Sequence, residues 1–333
     1  MKKVLSLILA LAMVFALAAC GEKQPSNDGN TDGDKSARGN VIMTFGTADT
    51  GGSMYPAGAA VSQVWTNNVE GVKCNTQTST GSFQNCQDVS TGEVDVAVAT
   101  SDVVLNAYNG TGKFADIGKL DNLRVIGAVY TSVLSGVTLK SSGLTYIHDL
   151  LGKRVAVGPA ASATENATLA AFGVMGIDSS NTSLENLGLG DGADSVGDGI
   201  LDAAFGCAGL PIGGQLNLAA TKEIQVLDMT QEEIDKVLAG NAAYIQTKIP
   251  AGTYTGQDND ANTFGVKCLI IVTADMDADL VYDLCKAMNE HTEEMAAGNA
   301  LLKDMTDPSF LCTQMPIPLH DGAQKYYSEQ GLI

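Results

Sequence analysis

The chain has 333 residues, 45% of them apolar, which is enough for two ordinary hydrophobic cores and far from a disordered composition. With 38 acidic against 19 basic residues the formal charge is −19, so nucleic acid and anionic lipid are excluded as natural partners of its surface. Solubility alone also accounts for such acidity.

Lys2 and Lys3 precede an apolar run from Val4 to Leu17, which ends in Leu17-Ala-Ala-Cys20 with Gly21 behind it. Residues 1–19 read as an export signal closed by a lipoprotein cleavage box, because the run is too short to span a membrane and small residues before Cys20 suit a peptidase. Cys20 then carries the lipid and becomes the mature N-terminus, tethering the protein outside the cell membrane. Residues 20–40, polar and without apolar period, read as a flexible tether.

From Val41 a buried strand empties into a glycine-rich turn ending at Pro56, followed by a helix with Ala57, Ala60, Val61, Val64 and Trp65 at i, i+3, i+4 spacing. A helix start there aims free N–H groups and the positive end of the helix dipole at whatever sits above the turn, a natural seat for an anion. Residues 72–77 form the next strand and 78–82 a second small-residue turn, leading to a short helix that Gly92 closes. The strand 94–99 ends at Thr100-Ser-Asp102, where Asp102 is either the N-cap of a helix over 103–108 or a ligand contact. Residues 123–129 read as a strand, and 130–140, extended and β-branched, as a crossing out of the first lobe.

A second unit starts at 150–157 and repeats the arrangement, with the strand Val155-Ala-Val157 running into Gly158-Pro-Ala-Ala-Ser162 and a helix. Ser162-Ala-Thr-Glu165 has the spacing of a capping box. A glycine- and aspartate-rich connection over 188–199 precedes a strand at 203–205, a helix to Thr221 and a strand at 224–227. Residues 264–272 cross back, and a helical tail over 277–297 places Leu280, Leu284, Ala287, Met288 and His291 on one face. Gly92-Glu-Val-Asp-Val-Ala-Val98 and Gly199-Ile-Leu-Asp-Ala-Ala-Phe205 share one pattern at an offset of 107 residues (199 − 92 and 202 − 95). Together with the paired strand-to-serine turns this indicates two similar α/β lobes, each with a buried parallel sheet, 41–130 plus 264–333 and 131–263. Two crossings between lobes make a hinge, and a hinge borders a cleft.

With the lipobox, the loop Gly46-Thr47 to Gly51-Gly-Ser-Met-Tyr-Pro56, the phrase Ser79-Thr-Gly-Ser82, the turn Thr100-Ser-Asp102 and the motif Ile249-Pro-Ala-Gly-Thr-Tyr254, the chain resembles the TAXI-family solute receptors of tripartite ATP-independent periplasmic (TRAP) transporters. The resemblance covers residues 41 to about 298. It implies a two-lobed type II periplasmic-binding-protein-like fold, two doubly wound sheets joined by a hinge. It further implies closure on a small carboxylate, an amino acid such as glutamate or a related organic acid, and delivery to the membrane subunits of a TRAP permease. Two departures stand out. Ala48 and Asp49 replace glycines usual in the first loop, and Ala161 and Ala163 replace glycines of the second, where alanine disfavours φ > 0.

The candidate ligand contacts are Thr47, Asp49, Gly52, Ser53 and Tyr55 in the first turn, Thr80, Gly81 and Ser82 in the next, and Ser101 and Asp102 after the third strand. Ser162, Ala163, Thr164 and Glu165 supply the second lobe's helix start, with Cys207 and Ala208 on the cleft wall. Capping or packing is the structural alternative for each. Arginine occurs only at 38, 124 and 154, outside these turns, so a carboxylate is held mainly by backbone N–H groups, hydroxyls and helix dipoles. Asp49, if it faces the cleft, favours a ligand with an ammonium group; otherwise it caps the turn.

Asp258-Asn-Asp-Ala-Asn262 has the acidic spacing of a calcium loop but Thr263 where glycine and Leu269 where glutamate are needed, so it reads as a polar turn. His148, His291 and His320 lack metal-ligand spacing, and the six cysteines after Cys20 form no C-x-x-C pair. No metal, cofactor or catalytic residue is expected, and the protein is expected to be a monomer. Two other classes stay open: an exported enzyme using the same cleft, and a receptor feeding a signalling partner.

Overall fold

The computed structural model of the chain describes residues 39–50 and 52–333. The export signal, Cys20 and nearly all of the tether lie outside the described residues, as does Gly51. An alternating run opens the fold: β1 (Val41–Gly46), α1 (Met54–Asn68), β2 (Val72–Gln77), α2 (Ser82–Thr91), β3 (Val96–Thr100) and α3 (Ser101–Asn109). A tight turn at Gly112–Phe114 leads to β4 (Leu123–Leu139), a single strand of 17 residues where the sequence suggests a strand and a separate crossing. The alternation resumes with β5 (Arg154–Ala156), α4 (Ala163–Val174), β6 (Ser183–Glu185), α5 (Leu189–Gly197), β7 (Ala203–Ala208), α6 (Gly213–Thr221), β8 (Ile224–Val226) and α7 (Gln231–Gly240). β9 (Tyr244–Ile249) and β10 (Ala261–Thr273) follow, then α8 (Ala278–Glu290), α9 (Thr292–Gly298), α10 (Pro308–Cys312) and α11 (Asp321–Glu329).

Four local readings need correction. Asp102 is the second residue of α3, and Thr100 holds the N-cap position. The tail is not one helix: α8 ends before His291 and α9 begins after it. The connection over 188–199 contains α5 despite its glycines, each of which costs a helix about 1 kcal/mol against alanine. Close approach compensates there, since a Cβ on Gly192 would sit 3.0 Å from that of Ala156 and 3.4 Å from that of Ala204. Finally, α7 and β9 fill a stretch with no assigned element; Thr230 and Glu233 form a capping box that starts α7.

The described strands form one mixed sheet in the order β2-β1-β3-β10-β4-β7-β5-β6, with β8 on β4 and β9 on β10. Each end is parallel, β2-β1-β3 at one and β7-β5-β6 at the other as far as β5 is concerned, and the long antiparallel pair β4 and β10 runs through the middle. The ladder between these two shifts register at Cys268/Leu269 and Ile270/Ile271, where bulges bend and twist the strands. Alternate residues point to opposite faces. Thus Val96 and Val98 join a core with Phe45, Trp65 and Leu284, whereas Ala97 and Ala99 join one with Cys86 and Val104 on the other face. Phe205 and Ala204 divide in the same way at the other end, so helices cover both faces of both halves.

The sequence repeat has a physical cause. Gly92 and Gly199 both adopt left-handed φ, 77° and 72°, to turn out of a helix. Three residues on, Asp95 Oδ2 accepts the Thr44 amide at 2.7 Å and Asp202 Oδ2 accepts the Arg154 amide at 2.8 Å. In each half one aspartate therefore ties the strand after the turn to the strand that opened the unit.

Candidate functional site

The chain brings together the starts of α1, α3 and α4 and the end of β7. At the start of α4, Ser162 Oγ accepts the Glu165 amide at 3.1 Å as a true N-cap. Only half of the anticipated capping box forms, because Glu165 Oε2 reaches past Ser162 to accept the Ala161 amide at 2.7 Å. Ala161 adopts φ 59° despite its Cβ, a conformation that costs a non-glycine residue about 1–2 kcal/mol. Glu165 also accepts from Asn186 Nδ2 at 3.0 Å and is salt-bridged by Lys113 from the turn after α3. Burial alone would raise the Glu165 carboxyl, but the Lys113 ammonium and the Ala161 amide outweigh it and hold it below the usual range. Thr164 Oγ1 accepts the Cys207 amide at 3.0 Å, locking the helix to β7.

Asp102 is the second carboxylate here, and it is fully buried. Its Oδ2 accepts from Asn166 Nδ2 on α4 and, at 3.1 Å, from Tyr244 Oη on β9. Its Oδ1 is buried without a hydrogen bond. Burial pushes this carboxyl above the ordinary range, and the hydrogen bonds, Asn166 and Tyr244 included, offset only part of that. Ser101 donates to the Ala243 carbonyl at 3.1 Å, a second tie between α3 and the segment entering β9.

The start of α1 differs. Ser53 holds the N-cap position but bonds no amide of its own helix; its Oγ accepts the Gly209 amide, just past β7, at 3.1 Å. Leu301 packs against the same glycine so closely that a Cβ there would lie 1.8 Å from Leu301 Cδ1. Thr47 is buried and donates to the Gln77 carbonyl at 2.8 Å, Asp49 is exposed, and Gly52 and Tyr55 are half-buried. Thr80 is exposed and bonds Gln84, Gly81 takes φ 115° at the start of α2, and buried Ser82 accepts the Thr100 amide at 3.1 Å. Cys207 and Ala208 are buried in β7. Thus Ser53, Ser101, Asp102 and Glu165 meet groups of the other half, while Thr47, Thr80, Ser82, Thr164 and Cys207 bond within their own.

Lys113, Asn166, Tyr244 and Gly209 complete the assembly and were not among the expected residues. An isolated lysine carries no local signal, but the alternation Tyr244-Ile-Gln-Thr-Lys-Ile249 would have revealed β9. The gap between α3, the Gly112–Phe114 turn and α4, bordered by Val103, Lys113, Ser162 and Asn166, measures about 10 Å³. That admits no more than one water-sized group. A larger depression of about 420 Å³ lies elsewhere, beside β8 and residues 256–261. The expected polar turn is there, with Asp260 bonded to the Ala251 amide at 2.8 Å and to Lys248.

Among the described residues no group of three or more His, Cys, Asp and Glu is placed to hold a metal ion, and no helix is long and apolar enough to cross a membrane. The six described cysteines are free and buried, and burial pushes their thiols up, Cys74 to about 11 and Cys268 to about 12. His148 pairs with Glu233 and His291 with Glu294, while His320 caps α11.

One mixed α/β sheet wrapped by helices on both faces, with strand ends and helix starts converging in its middle, is the periplasmic-binding-protein-like fold. The NMT1-like family model matches residues 45–331, and the chain belongs to that family. The structure is similar to that of a protein from Bordetella bronchiseptica RB50, with a TM-score of 0.51 at 12% identity over 87% of this chain and 98% of that one. It is also similar to the alkanesulfonate-binding protein SsuA from Xanthomonas axonopodis pv. citri bound to MOPS (TM-score 0.49, 15% identity, 88% and 85% covered). A third similar structure is the substrate binding protein of an amino acid ABC transporter (0.46, 14%, 80% and 98%).

Proposed function

We propose that this is an extracytoplasmic solute-binding protein that captures a small carboxylate, an amino acid such as glutamate or a related organic acid, and delivers it to the membrane subunits of a TRAP transporter. The lobes are 41–130 plus 264–333 and 131–263, and they close on the solute about the β4 and β10 crossings. One observation carries this reading: polar groups at the helix starts of one half are seated on those of the other, through Lys113–Glu165, Asp102–Asn166 and Ser53–Gly209. The gap of about 10 Å³ between α3 and α4 supports a solute that enters there with these faces apart and is covered as they meet. A carboxylate is held at the starts of α1 and α4, where free amides and helix dipoles favour it. The TAXI motifs named above support the carboxylate and the TRAP partner. Solute leaves chemically unchanged, since the assembled hydroxyls serve as caps and ties and the thiols are pushed up by burial.

A thermal-shift screen across amino acids, mono- and dicarboxylates, sugars and nucleosides tests the ligand class. One or more organic acids should raise the melting temperature by mass action, and stabilisation by neutral sugars or nucleosides alone would overturn the carboxylate seat. Anchoring through Cys20 belongs to the same proposal. Cys20→Ser should abolish labelling by a fatty-acid probe, and unchanged labelling would remove the lipid anchor from it.

A further inference from the structure

We infer that Asp102 is the seat for a protonated nitrogen of the solute, so that the ligand class is an amino acid or another organic acid bearing an ammonium group; this rests on the solute-capture reading above. Asp102 is fully buried and, among the described residues, no lysine, arginine or histidine pairs with it. The groups that donate to it, Asn166 and Tyr244 among them, are neutral, and Oδ1 is buried without a hydrogen-bond partner. A carboxylate removed from water in this way lacks a compensating charge, which folded proteins normally supply. The groups facing it from neighbouring elements supply none: Cys86 on α2, Cys207 on β7, Tyr244 on β9 and Cys268 on β10 all have their ionisation pushed upward and stay neutral.

Position turns this local deficit into a site. Asn166, which covers Oδ2, and Val103, the next residue of the same helix, both border the narrow gap between α3 and α4. Separating α4 and β9 from α3 withdraws Asn166 and Tyr244 from Asp102 and exposes the carboxylate at the edge of that gap. Lys113 borders the same gap and is neutralised by Glu165. The two carboxylates at this seam are thus unequal, one paired with a cation of the chain and the other left for a cation from outside. Asp49, the other acidic residue considered for an ammonium partner, is exposed, where water screens any attraction.

The test is titration calorimetry of the full chain with matched pairs that differ only by the amine: L-glutamate and glutarate, L-leucine and 4-methylpentanoate, L-alanine and propanoate. The amino member of at least one pair should bind about 10- to 100-fold more tightly than its deaminated counterpart, the range of a charge-assisted hydrogen bond. Asp102→Asn should erase that preference while leaving the circular dichroism spectrum unchanged. Equal binding of both members by the unaltered protein, or a preference retained in folded Asp102→Asn, overturns the inference and leaves carboxylate capture standing. Binding of putrescine that is lost in Asp102→Asn supports the ammonium seat and overturns the carboxylate. If no member of any pair and no amine binds, solute capture falls and the inference with it.

Discussion

Glu165 and Asp102 lie at the starts of two helices in different halves of the molecule, each reached by side chains of the other half. Glu165 is met by Lys113, two amide donors and its own helix start, and its carboxyl is held down despite burial. Asp102 is met by neutral groups, the Asn166 amide and the Tyr244 phenol among them, and burial pushes its carboxyl up. The two differ in depth, Asp102 being wholly buried and Glu165 nearly so, and in partners, since only Glu165 has a cation beside it. A buried acid with a cation in place is compensated within the chain, whereas one without a cation is not.

Breaking the first pair gives the largest effect. Lys113→Met strands Glu165 without its cation and should lower stability by about 2 kcal/mol in urea denaturation, less than a fully buried pair would lose because the Lys113 side chain is 42% exposed. Lys113→Arg should restore most of it. The second carboxylate responds in the opposite direction. Asp102→Asn keeps an acceptor for Tyr244 and removes the unpartnered charge, so the ligand-free protein should gain about 1–2 kcal/mol at neutral pH.

The same contrast appears in the pH dependence. The Glu165 carboxyl is lower in the folded state, so its contribution is present above its unfolded pKa of about 4.3 and is lost as pH falls through the folded value. The Asp102 carboxyl is higher in the folded state. Its contribution is complete below an unfolded pKa of about 3.9 and is lost as pH rises through the folded value. Denaturation curves on the two sides of pH 4 should therefore separate them, with the loss on the alkaline side absent in Asp102→Asn and the loss on the acid side reduced in Lys113→Met. The smallest effect sharpens the geometry beside Glu165. Ala161→Gly relieves φ 59° but loosens the unfolded chain, and the net gain should be about 0.5 kcal/mol, read as a slightly higher melting temperature.

Much of the fold was legible because its signals are local. The spacing of Ala57, Val61, Val64 and Trp65 marked α1, Gly92 marked the end of α2, and the repeated glycine-to-aspartate phrase marked equivalent strands in the two halves. Elements that depend on distant partners were not. The helix α5 forms over a glycine-rich stretch because Gly192 can approach Ala156 and Ala204, on strands outside the helix that no local pattern ties to it. The long β4 was split in reading because its two parts keep different company, β10 alone near its start and β7 and β8 near its end.

The candidate site divides along the same line. Ser162 was identifiable as a cap because its partner amide is three residues away, and Asp102 as a polar residue at a strand end because the pattern of Val96–Thr100 stops there. Nothing near Ser53 in the chain announces that its hydroxyl serves Gly209, 156 residues on, instead of its own helix. Nor does any local pattern pair Lys113 with Glu165 or leave Asp102 with neutral partners alone. Periodicity and capping act over a few residues, so the sequence by itself determined the α/β alternation, the repeat and the turns that carry the polar side chains. Charge compensation acts through space across the seam, and only the tertiary structure decided which of two buried carboxylates receives a cation from the chain and which does not.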